Sequence, residues 1–132
     1  MRTFPPRLGA GINRCDCADP VQMSTFWAAV LGIPASNEHG DDPNWATVGS
    51  RSAPLPRLTF QRVPEPKAGK VRVHLDVEVD DIEAGRQRVE ELGGRFSGFR
   101  HEYDEGVVLN MLDPEGNEFC LVEYFDRPAA TR

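Results

Sequence analysis

The amino-acid sequence reads as an α+β protein on three observations. Val71 to Asp81 (VRVHLDVEVDD) alternates apolar and polar residues without a break, the pattern of a strand with one face on a core. That run leads into DIEAGRQRVEELGG, where the apolar residues change to helical spacing. The same succession of strand, helix and further strands occurs a second time, earlier in the chain. A helix laid on one face of a short, mostly antiparallel sheet is the α+β arrangement. Two such sheets side by side would make one curved surface.

Taken in order, residues 1 to 9 read as a loosely held arm, and Gly11 to Cys17 as a short strand. Asp19-Pro20-Val21-Gln22 is a helix start: Asp19 can cap, Pro20 suits the first helical position, and Gln22 can close a capping box. Met23, Phe26, Trp27, Val30 and Leu31 then form one apolar stripe, and Gly32 followed by Pro34 ends the helix. Residues 35 to 43 read as a polar loop and Asn44 to Ser50 as a strand. RSAPLP reads as a turn. Arg57 to Val63 reads as a strand with Leu58 and Phe60 on one face and Thr59 and Gln61 on the other.

Residues 64 to 70 (PEPKAGK) form a linker at the middle of the chain. Beyond it, Asp80 or Asp81 starts a helix with Ile82, Gly85, Val89 and Leu92 on its buried side, ended by Gly93-Gly94. Arg95 to Phe99 is a candidate strand and HEYDEG a polar loop. Val107 to Leu112, a DPEGN turn and Glu118 to Phe125 form a hairpin, and Asp126 onward reads as a frayed tail. Setting Asp19 against Asp81 brings the halves into register, with Gly32 on Gly94, Trp27 on Val89, and Cys15 and Cys17 on Val77 and Val79. The two cysteines are therefore expected to pack beneath the first helix.

Composition narrows the function classes. The 132 residues suffice for a single domain with a proper core; module one is expected at about 10–63 and module two at about 71–125. A net charge of −6 argues against nucleic acid. No apolar run approaches the roughly 20 residues of a membrane span, and the N-terminus has no signal-peptide core, so a cytoplasmic location is expected. Three cysteines without an export signal do not suggest a disulfide framework.

The segments DCADPVQMSTFWAAVLG, LTFQRVPEPKAGKVRVHLDVEVDDIEAGRQRVEELGG and MLDPEGNEFCLVEY resemble the glyoxalase-like domain of the vicinal oxygen chelate superfamily. Its relatives include glyoxalase I, bleomycin-resistance proteins, fosfomycin-resistance enzymes and extradiol dioxygenases. The resemblance implies two βαβββ modules forming a curved mixed sheet around a cleft, with the helices outside. It also implies, in metal-dependent members, a divalent ion held by residues of the first and last strands of each module.

Carried over residue by residue, the resemblance places His74 at the first-strand histidine of module two. The last-strand glutamate, four residues after the turn glycine, falls on Cys120. In module one the position of His74 is Ile12, which has no ligating atom, and the last strand offers Thr59 or Gln61. His74 and Cys120 are thus the metal candidates of an incomplete set, softer than the carboxylate and imidazole groups a hard divalent ion needs. The expected ligand-binding residues are His74, Cys120, Gln61, Thr59 and Trp45, the last as a ring wall; the sequence assigns no catalytic residue. His39 reads as solvated surface, and His101 with its neighbours as loop residues that diverge.

Two readings follow. One is a small-molecule-binding protein of the glyoxalase/bleomycin-resistance type, with no cofactor. The other is a metal-dependent lyase, isomerase or dioxygenase using His74 and Cys120. In either case a homodimer is expected.

Overall fold

The computed structural model describes residues 12–50 and 57–126. The expected N-terminal arm, the proline turn at 51–56 and the tail from 127 lie outside them. The chain divides into two compact units, residues 1–66 and 67–132.

The first unit is a βαβββ module. β1 (Ile12–Cys17) leads to α1 (Pro20–Leu31), followed by β2 (Ala35–Ser36), β3 (Trp45–Val48) and β4 (Arg57–Arg62). The helix begins as its residues dictate: the Asp19 carboxylate accepts from the Gln22 N–H at 3.1 Å and Pro20 occupies the first turn. It ends on Gly32, whose φ of 66° is the left-handed conformation that a side chain resists. Met23, Phe26 and Trp27 are buried as expected, with Phe26 and Trp27 edge to face at 5.4 Å.

The sheet order is β1-β4-β3-β2, with β1 parallel to β4 and the other pairs antiparallel. α1 packs on β3 and β4, so Val48, Leu58 and Phe60 are buried. Cys17 is buried and its Sγ lies 3.6 Å from the Gln61 carbonyl; Cys15 is half-buried. The stretch read as an uninterrupted loop from residue 35 instead starts with a two-residue strand, because Ala35 and Ser36 pair with Val48 and Thr47.

The second unit repeats the topology. β5 (Asp76–Glu78), α2 (Ile82–Glu91), β6 (Arg95–Tyr103), β7 (Gly106–Leu112) and β8 (Glu118–Tyr124) give the sheet order β5-β8-β7-β6, with β5 parallel to β8. α2 packs on β6, β7 and β8 through Ile82 and Val89. Gly85 allows the approach: a Cβ there would lie 3.2 Å from a Val79 methyl and 3.4 Å from Leu121. Val107, Leu109, Met111, Phe119 and Leu121 complete the core, each worth about 1.5–3 kcal/mol of burial.

Two expectations change here. The strand read over Val71 to Asp81 is present only as Asp76–Glu78; Val73 is 83% exposed and His74 lies exposed outside the strand. The cause is local. β8 begins at Glu118, and the Glu118 carboxylate takes the Val71 N–H at 3.0 Å, while Lys67 sits on the same carboxylate at 2.9 Å. A side chain therefore satisfies an amide that a longer ladder would have used. The second change concerns HEYDEG, which is not a loop throughout: β6 runs on to Tyr103, and the turn is Asp104–Glu105. β6 is an edge strand, where polar residues are the normal choice.

Candidate functional site

In a sheet, residues that stand side by side share a face. In the first unit, Trp45 stands beside Gln61, and Thr47 beside Thr59, which stands beside Arg14. The register therefore gathers Thr59, Gln61 and Trp45 on the face that the helix does not cover. Thr59 and Gln61 share that face as expected. The hydroxyls of Thr47 and Thr59 lie 3.2 Å apart and both residues are buried, so Thr59 is already satisfied by a neighbour. The Trp45 indole carries the Arg14 guanidinium at 5.7 Å from its centroid and the His39 ring at 5.3 Å in a stacked arrangement.

In the second unit, the register sets Asp76, Cys120 and Asn110 in one row across β5, β8 and β7. The Asn110 amide approaches Cys120 Sγ at 3.9 Å. Opposite Asn110, β6 holds three residues, Ser97 to Phe99, against one on β7; Phe99 is left exposed. Bulges of this kind are common beside binding sites because they interrupt the ladder and turn side chains outward. Further along the same face, His101 and Tyr103 stack at 5.8 Å and 9°, two residues apart on one strand. Gly106 stands between Tyr103 and Tyr124 in the register, where a Cβ would collide with the Glu123 carbonyl oxygen.

The electrostatics of this face keep protons on. Burial pushes the Cys120 thiol up; the Asn110 hydrogen bond opposes this, Asp76 adds to it, and Lys70 opposes it. Burial, then Tyr124, Glu105 and Asp76, push the Tyr103 phenol up. At neutral pH the face therefore offers a thiol, a phenol O–H and an amide, which donate to and accept from a polar ligand. It does not offer a thiolate nucleophile.

The expected site residues fare differently. Thr59, Gln61 and Trp45 come together in the first unit, and Cys120 lies on the open face of the second. His74 does not lie on a strand, and the charges that act on Cys120 are those of Asp76 and Lys70. Among the described residues no group of three or more His, Cys, Asp or Glu side chains is placed to hold a metal ion. A protonated thiol beside one carboxylate and one amide does not fit the hard divalent ion that the resemblance implies.

Asp76, Asn110, His101 and Tyr103 are additions. Counting outward from the DPEGN turn would have placed Asn110 opposite Cys120. The i, i+2 spacing of His101 and Tyr103 is that of one strand face.

Paired βαβββ units, each with its helix on one side of the sheet and polar and aromatic groups on the other, define the α+β class to which the glyoxalase and bleomycin-resistance proteins belong. The glyoxalase-like domain family model matches residues 14–122, and the chain belongs to that family.

Structures of the same fold include a glyoxalase/bleomycin resistance protein/dioxygenase family enzyme from Burkholderia phytofirmans PsJN. It has a TM-score of 0.71 and 16% identity, over 89% of this chain and 99% of that one. A glyoxalase/bleomycin resistance protein/dioxygenase from Nocardioides has a TM-score of 0.67 and 15% identity, over 100% of this chain and 92% of that one. In sequence, the uncharacterized protein YetH of Bacillus subtilis (strain 168) is 21% identical over 107 residues, 80% of this chain and 89% of YetH. Among the described residues no helix is long and apolar enough to cross a membrane.

Proposed function

We propose that this chain binds a small molecule on the helix-free faces of its sheets, without the divalent metal of the metal-dependent members. The row Asp76–Cys120–Asn110, flanked by the stacked pair His101–Tyr103, carries this reading. It offers hydrogen bonds and ring surface, the two things that orient a small ligand. The ligand class it favours is a neutral or cationic compound with a planar ring, because Asp76 is the charge at the row and Tyr103 supplies the stacking surface. The functional form is a homodimer in the cytoplasm, which protects the exposed edges of β5 and β6; a single monomeric species in light scattering would remove that part.

The test is metal content of the untagged protein, followed by thermal-shift and NMR screening of ring-containing metabolites and antibiotics. Binding to metal-free protein, weakened about tenfold by Asn110→Ala and by Tyr103→Ala, is the expected result. About one equivalent of bound metal, lost in His74→Ala, would overturn it and favour a lyase, isomerase or dioxygenase.

A further inference from the structure

A second feature lies at the sheet edge of the first unit. β2 pairs with β3 only at Ala35↔Val48 and Ser36↔Thr47, so the earlier half of β3, Trp45 and Ala46, extends past the end of β2. The chain swings out as the segment 37–44 and returns, leaving a pocket of about 260 Å³ against the first turn of α1 at Val21.

The segment is held in shape. Glu38 pairs with the buried Arg57 at 3.0 Å, the Asp42 carboxylate accepts from the Asn44 N–H at 3.0 Å, and the Gly40 N–H donates to the Asn37 carbonyl. Trp45, Asp41 and Asp42 are among the residues that line the pocket. Two further lining residues, Ser36 and His39, each bury a polar atom, Oγ and Nε2, that has no hydrogen-bond partner among the described residues. Buried polar groups are nearly always satisfied, so two orphans on one pocket point to a polar occupant. No lysine or arginine lines the pocket.

We propose that this pocket is a second binding site, for a small organic cation: an amine on a compact apolar body. The ammonium lies towards Asp41 and Asp42, the body lies against Trp45 and Val21, and polar groups of the ligand or its water reach Ser36 and His39. The size admits a ring with a short arm. Ala46 stands beside Phe60 on the helix side of the first unit's sheet, and the pocket lies at that sheet's edge.

Benzylamine is the probe, titrated into the ¹⁵N-labelled full chain, with benzyl alcohol and benzoate as neutral and anionic controls of the same shape. Benzylamine is expected to shift the Trp45 indole N–H and the amides of residues 39–46, with a dissociation constant on the order of 1 mM for so small a ligand. The controls should bind at least about fivefold more weakly. The D41N/D42N variant should weaken benzylamine by about fivefold and leave benzyl alcohol unchanged. Asn at position 42 retains the oxygen that accepts from Asn44, so the variant keeps the loop; an unchanged amide spectrum elsewhere checks this. Equal binding of benzylamine and benzyl alcohol would overturn the proposal. So would shifts centred on Thr59 and Gln61 or on Cys120, or the absence of any shift at 10-fold higher probe concentration.

Discussion

Asp113 governs the geometry of the open face through the DPEGN turn, and replacing it should be expensive. The residue is 3% exposed. Its Oδ1 accepts from the Glu115 N–H at 3.0 Å, the Asn117 N–H at 2.9 Å and the Asn117 side-chain amide at 3.0 Å. Its backbone adds Asp113 N–H to the Asn117 carbonyl and Gly116 N–H to the Asp113 carbonyl, both at 2.9 Å. This closes the DPEGN turn, and the turn sets the register that puts Asn110 beside Cys120.

Asp113→Ala leaves two part-buried backbone N–H groups without their acceptor. Charge-assisted hydrogen bonds contribute roughly 1.5–3 kcal/mol each, and the desolvation of the carboxylate offsets part of that. The net loss is about 2–4 kcal/mol. Asp113→Asn retains Oδ1 and should lose about 1 kcal/mol. Urea unfolding reads both: with a slope of about 1–3 kcal/mol per molar, the Ala variant should bring the midpoint down by on the order of 1–2 M. An Ala variant within about 1 kcal/mol of the parent would refute the reasoning. So would an Asn variant as damaged as the Ala one, since charge rather than acceptor geometry would then be responsible.

Two further predictions concern titrating groups. The Glu118 carboxylate is held below the usual range, first by the Lys67 hydrogen bond and also by the Val71 N–H. A depressed folded value means that the stabilisation is complete above the unfolded value of about 4.3 and is lost as pH falls through the folded one. Glu118→Gln should flatten the acid limb of the stability profile by about 1 kcal/mol, because both partners are partly solvated; an unchanged acid limb in urea midpoints from pH 7 to pH 3 would count against it. Cys120, pushed up by burial, should be alkylated by iodoacetamide at pH 7.4 at least about threefold more slowly than free cysteine in a C15S/C17S background, with its rate still rising at pH values above about 8.5, where free cysteine begins to level off. Faster alkylation than free cysteine would mean a thiolate.

Much of the architecture is legible in the residues because several signals agree at once. α1 has a capping aspartate, a proline in its first turn, a four-step apolar stripe and a terminal glycine, and all of them act at their positions. β4 shows its two faces through Leu58 and Phe60 against Thr59 and Gln61. The misreadings share one cause: alternation and polarity describe a segment, whereas pairing belongs to its neighbours. VRVHL has a strand's pattern but meets the Glu118 side chain where β8 begins. HEY has a loop's composition but lies against β7 at the sheet edge. The pocket at Trp45 is invisible in the residues because it arises where β2 stops, and nothing in Ala35-Ser36 announces a two-residue strand. Cys120 is placed by the resemblance, and its thiol is pushed up first by burial, with a smaller contribution from Asp76, which the parallel pairing of β5 with β8 sets beside it.

That parallel pairing has a consequence for synthesis on the ribosome. In each unit the first strand lies beside the last, β1 on β4 and β5 on β8, so neither sheet closes until the final strand of its unit has emerged. The first unit is complete in this sense once Arg62 is free, while the second must wait for Tyr124. Helix and hairpin contacts form early in both halves, but the long loop closures come last and set the pace. The nascent chain thus passes through two separate waiting periods, each with its first strand unpaired and a two-stranded hairpin open to other polypeptides.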